Sequence, residues 1–128
     1  MLIGKGGSRT MGRLSTHVLD TVKGRPAQGV LIELHRLGPD MAWQFVSRTT
    51  TNADGRTDAP LLTGEAFKLG TYMLSFHIGD HFRTSGAANA APPFLDIVPL
   101  RFTLADPDGH YHVPLLATPW SYSTYRGS

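Results

Sequence analysis

From Leu14 onward the chain is built of short runs rich in β-branched and apolar residues, each cut off by glycine, proline, asparagine or aspartate. The 3.6-residue periodicity of an amphipathic helix is nearly absent. Such a pattern restricts the fold to an all-β architecture, an antiparallel β-sandwich whose strands turn alternate residues toward one shared core. The first run, Leu14–Val22, stops at Lys23-Gly24-Arg25-Pro26, where proline blocks continuation of the strand. In the second, Gly29–Leu37, Val30, Ile32 and Leu34 share one face and Glu33 and His35 the other, as in a half-buried strand. Trp43–Thr51 forms a third. Asn52-Ala53-Asp54-Gly55 predicts a fixed corner with Arg56 at its exit. Pro60–Lys68 holds a short irregular strand, and Gly70–Ile78 alternates Tyr72, Leu74, Phe76 and Ile78 against Thr71, Met73, Ser75 and His77. Asp80 is expected to cap a short helix over His81–Ser85, and Gly86–Pro93 to be a loop. Asp106-Pro107-Asp108-Gly109, between Phe94–Ala105 and His110–Ala117, predicts a type I turn followed by a left-handed residue, closing a tight hairpin.

With 128 residues, 41% hydrophobic and 17% charged, the chain has the size and mix of one domain. Residues 1–12, rich in glycine, read as a flexible lead-in to a domain spanning 13–128. The absence of cysteine removes thiol nucleophiles, thiolate zinc sites and disulfides together. A net charge of +2 without a run of like charges argues against a nucleic-acid partner. No stretch approaches the ~18 consecutive apolar residues of a membrane span, and residues 1–13 lack the apolar segment of a secretory signal. A cytoplasmic location is expected.

Nucleophile-elbow, zinc-helix, phosphate-loop and dinucleotide motifs are all missing, which leaves histidine and arginine for chemistry near neutral pH. His17 lies on the same strand side as Ser15 and Leu19, and His110 and His112, two apart, share a face. A neutral imidazole can take a proton from water. A nearby guanidinium would hold it neutral and grip a planar amide edge or a developing oxyanion. Arg56 and Arg126 are the candidates. His35, His77 and His81 read as structural or solvated. A His110/His112 metal pair lacks the third ligand that zinc requires. The tail, Pro119–Ser128, carries three aromatics, Trp120, Tyr122 and Tyr125, and is expected to dock rather than hang free.

Leu14-Ser15-Thr16-His17-Val18-Leu19-Asp20-Thr21 with Gly24, Pro26 and Ala27, then Thr51-Asn52-Ala53-Asp54-Gly55-Arg56, then Tyr111-His112-Val113-Pro114-Leu115-Leu116 with the terminal Tyr122–Ser128, resemble three motifs of the transthyretin-related 5-hydroxyisourate hydrolases. The match keeps order and spacing from Leu14 to Ser128. The Tyr-Arg-Gly-Ser ending is the feature that separates these hydrolases from hormone-carrying transthyretins. This resemblance implies a transthyretin-like sandwich of about eight strands with one short helix, assembled as a homotetramer, a dimer of dimers, with active sites in the channel between dimers. It also implies a small-molecule substrate of urate catabolism, 5-hydroxyisourate, opened by water at its N1–C6 amide to 2-oxo-4-hydroxy-4-carboxy-5-ureidoimidazoline, with no cofactor and no metal. The family's functional positions fall on His17, Arg56 and His112 as catalytic groups and on Tyr125, Arg126, Gly127 and Ser128 as substrate-binding groups. Thr118 and Trp120 depart from the family's usual residues. Either His17 or His112 can serve as the base. The competing readings are a non-enzymatic carrier of small aromatic ligands and a zinc hydrolase built on His110 and His112.

Overall fold

The computed structural model describes residues 11–86 and 92–127. They form two packed sheets. The first contains β1 (Arg13–Asp20), β2 (Arg25–Pro26), β5 (Leu62–Thr63), β8 (His110–Ala117) and β9 (Tyr122–Thr124), ordered β9-β8-β1-β2 with β5 also paired to β1. The second contains β3 (Leu31–Leu37), β4 (Trp43–Thr50), β6 (Gly70–His77) and β7 (Ile97–Leu104), ordered β4-β3-β6-β7. A helix, α1 (Ile78–Ser85), follows β6 directly. The alternation read from the sequence is the alternation observed: Val30, Ile32, Leu34, Tyr72, Leu74 and Phe76 are each buried, and they meet Leu14, Val18 and Leu115 of the facing sheet in a single core. Thr51 closes the sheet's lower edge from inside, its hydroxyl donating to the Ala27 carbonyl at 2.6 Å while accepting from the Val30 amide at 2.9 Å.

Three expectations need correction. The sandwich is antiparallel except at one pair: β1 and β8 run parallel over their whole length, Arg13 opposite His110 through Asp20 opposite Ala117. Asp106–Gly109 does close a turn, with the Gly109 amide donating to the Asp106 carbonyl at 3.0 Å. It is not a hairpin, however, because β7 pairs with β6 while β8 pairs with β1 and β9. It is a corner between the sheets, and Gly109 is not left-handed. The Tyr111 hydroxyl fixes that corner by accepting from the amides of Ala105 and Asp106 at 3.1 and 2.9 Å. Asp80 does not cap the helix: His77 is the N-cap residue, no side chain caps it, and Asp80 instead pairs with Arg83 one turn on. The helix starts at Ile78, since Ile78 and Phe82 bury against the core and make its first turn part of the packing. The expected count of about eight strands agrees with the nine found among the described residues, three of them of only two or three residues. Of the expected loop Gly86–Pro93, residues 87–91 lie outside the described residues. Met11 and Gly12 bond through their amides to the Asp108 carboxylate and the Pro107 carbonyl.

Candidate active site

Leu14, Thr16, Val18 and Asp20 of β1 point into the core, so the strand's other face carries Ser15, His17 and Leu19 outward. The outward row sits at the centre of the first sheet, and its neighbours on both edges are chemical. On one edge the parallel register sets Ser15 directly opposite His112. On the other, the chain leaving the Asn52–Gly55 corner comes alongside β1, with His17 bridged to Arg56 and the Val18 amide donating to the Gly55 carbonyl at 2.8 Å. Asn52 holds the corner, its side-chain oxygen accepting from the amides of Asp54 and Arg56 at 2.9 and 3.2 Å. Gly55 has φ +74°, and a Cβ there would stand 2.4 Å from the Val18 carbonyl oxygen, so only glycine lets the corner close on β1. Beyond β8, the Gly127 amide donates to the His112 carbonyl at 2.7 Å. A Cβ at 127 would lie 3.0 Å from His112 Cδ2, so the tail's glycine allows its backbone to lie against the imidazole.

Gly127, His112, His17 and Arg56 thus stand in sequence across one face. The imidazole centroids of His17 and His112 are 6.4 Å apart, and Ser15 Oγ shares a hydrogen bond of 2.9 Å with His112 Nδ1. A cleft of about 320 Å³ opens here, lined by Arg13, Ser15, Arg56, His110, Tyr111 and His112. The electrostatics favour uncharged rings. Burial lowers the pKa of His17, the Arg56 charge lowers it further, and a hydrogen bond to the Asp54 backbone with that residue's own charge opposes the shift. His112 is likewise lowered, first by burial, then by Arg56, then by His17. One fixed cation and two imidazoles held neutral can supply a proton acceptor, an N–H donor and a charge for a developing oxyanion.

Of the sequence-predicted residues, the structure brings together His17, Arg56, His112 and Gly127. Arg126 turns elsewhere: its guanidinium carbon lies 4.2 Å above the Tyr111 ring, and with Tyr125 it lines a separate groove against β7. Tyr125 is exposed, and Ser128 lies outside the described residues. His110 joins the cleft wall beside His112, yet among the described residues no three His, Asp or Glu side chains gather as a metal site would require. Sequence reasoning gave Ser15 no function. Its place on the face of His17 was legible, but its contact with His112 depends on pairing strands 97 residues apart. A larger recess of about 600 Å³ lies near α1. There the buried Asp20 carboxylate accepts from His81 Nε2 at 2.9 Å and from the amides of Val22 and Lys23 at 3.0 Å. His81 is therefore a strut between helix and strand, in keeping with its structural reading.

The HIUase/Transthyretin family profile matches residues 14–127, and the chain belongs to that family. It is 57% identical over 117 residues to the 5-hydroxyisourate hydrolase 2 of Rhizobium meliloti, covering 91% of this chain and 97% of that one. It is 58% identical over 115 residues to the 5-hydroxyisourate hydrolase of Deinococcus radiodurans, covering 90% and 95%. Among solved structures, (S)-allantoin synthase superposes with a TM-score of 0.89 at 48% identity, over 94% of this chain but only 45% of that longer one. Sea bream transthyretin, solved in complex with thyroxine, superposes with a TM-score of 0.79 at 30% identity, over 90% and 94%. No helix among the described residues is long and apolar enough to cross a membrane.

Proposed function

We propose that this chain is a hydrolase that opens 5-hydroxyisourate in urate degradation, at the N1–C6 amide, giving 2-oxo-4-hydroxy-4-carboxy-5-ureidoimidazoline. The observation that carries the reading is the approach of two imidazoles of lowered proton affinity, His17 and His112, and the Arg56 guanidinium on one sheet face, with His112 and Arg56 lining the cleft there. Its agreement with relatives named 5-hydroxyisourate hydrolase, 57% and 58% identical over nearly their full length, supports the substrate. A neutral imidazole removes a proton from water as its oxygen bonds to C6. Arg56 steadies the charge that gathers on the carbonyl oxygen. The N1–C6 bond then breaks, and N1 receives the proton the imidazole took. None of these steps requires a metal or a cofactor. Gly127, next to His112, extends the site toward the tail, where Tyr125, Arg126 and Ser128 are proposed to meet substrate in the assembled protein. That assembly is proposed to be a homotetramer. Trp120, Tyr122, Tyr125 and Ile97 are all exposed apolar side chains in the single chain, as subunit contacts would need.

The likeness to a thyroxine-bound transthyretin favours a second reading, a carrier of aromatic ligands. A carrier pocket is largely apolar, whereas this cleft is walled by arginine and histidine. Following freshly prepared 5-hydroxyisourate by ultraviolet absorbance separates the two. Accelerated decay with uptake of one water into the product is expected. Tight binding of a phenolic or iodinated ligand with no effect on that decay would establish the carrier.

A further inference from the structure

Ser15 is held in the sheet by the parallel register that places it beside His112, and its hydroxyl oxygen lies 2.9 Å from Nδ1. A serine hydroxyl can donate or accept, and its choice decides which nitrogen of a neutral imidazole keeps the proton. Among the described residues, His112 Nδ1 is the one acceptor found for the Ser15 hydroxyl hydrogen. The Cδ2 edge of the ring lies beside Gly127, where an added Cβ would stand at 3.0 Å. With Nδ1 bonded to Ser15, Nε2 is the ring nitrogen left for substrate.

We propose that Ser15 is a positioning residue whose hydroxyl donates to Nδ1 of His112, fixing the tautomer that carries its proton on Nε2. Its catalytic part rests on the hydrolase reading above and divides the labour between the two histidines. His112 remains neutral and offers Nε2–H to the carbonyl oxygen as negative charge grows there. His17 is then the base. It takes one proton from water as the O–C6 bond forms and returns it to N1 as the N1–C6 bond breaks, while the second water proton leaves with the new carboxyl group. A donor on Nδ1 stabilises the uncharged ring, the same direction in which burial, Arg56 and His17 move His112.

Nitrogen-15 spectra of the intact protein labelled at histidine read this directly, with Ser15→Ala and Ser15→Thr compared at matched pH. In the unmodified protein and in Ser15→Thr, His112 should be protonated on Nε2 and bare on Nδ1. In Ser15→Ala the two tautomers should mix and the ring should protonate at higher pH. With 5-hydroxyisourate, Ser15→Ala should lose about 3- to 10-fold in kcat, the equivalent of one neutral hydrogen bond, and Ser15→Thr should recover it. A proton on Nδ1 of His112 in the unmodified protein, or spectra unchanged by Ser15→Ala, would overturn the proposal. If the unmodified protein does not consume 5-hydroxyisourate at all, the hydrolase reading and the catalytic division fall together, while the spectra still decide the Ser15 contact.

Discussion

Arg56 does two jobs with one charge. It stands beside both imidazoles and is, after burial, the strongest influence holding each below its ordinary proton affinity. The sign of the resulting pH dependence follows. A free imidazole titrates near ~6.5, so a lowered pKa keeps the reactive neutral form populated below that pH, and the acid limb of kcat/KM should lie beneath it. Stability moves in the same sense. The unfolded chain takes up protons first as pH falls below ~6.5, so the stability these two histidines contribute declines from there until their folded-state values are passed, and that contribution is then level. The lowered carboxylates of Asp20 and Glu33 make stability fall further in acid. Arg56→Gln should move the acid limb up toward the ordinary imidazole value and lower kcat by about 10²- to 10³-fold, through loss of a preorganised oxyanion contact. A pH–rate series on both proteins checks this. An acid limb unmoved by the substitution would mean that Arg56 does not act through the histidines.

At the scale of elements, the site depends on how tightly a corner and a tail approach two strands. Gly55 combines a left-handed φ of +74° with a contact that any Cβ would violate. Gly55→Ala should therefore cost about 1–3 kcal/mol of stability and detach the Arg56 bridge, so that the urea midpoint falls and turnover falls with it. Normal turnover in a folded Gly55→Ala protein would show that the close approach is dispensable. The Asn52–Gly55 corner was legible because its chemistry is local: Asn52 bonds its own backbone and Gly55 accepts positive φ. The alternation of β1, β3 and β6 was legible for the same reason, since each strand has one buried face. The turn at Asp106–Gly109 misled because its local bonding is the same in a hairpin and in a corner between sheets. Whether the next strand pairs back is decided by distant partners, here β1 and the hydroxyl of Tyr111. Asp80 misled in a similar way, because burial of Ile78 moved the helix start ahead of it.

At the scale of the whole molecule, the site belongs to no single segment. His17, Arg56 and His112 come from three distant parts of the chain and meet only because β1 lies between the Arg56 corner and β8. Motif resemblance named these residues from the sequence, yet it offered no distance between them. The parallel pairing that joins Ser15 to His112 was out of its reach. Nor did it foresee that Arg126 would stack on Tyr111 at the cleft's border and line a neighbouring groove instead of the cleft itself. The central claim is that this convergence hydrolyses 5-hydroxyisourate through imidazole and guanidinium groups alone. The decisive measurement is the rate of substrate decay with chelator-treated protein, set beside folded His17→Ala and His112→Ala variants. The chelated protein should keep its full rate, and each variant should lose about 10²- to 10⁴-fold. Activity abolished by the chelator, or near-normal decay with either variant, would contradict the claim.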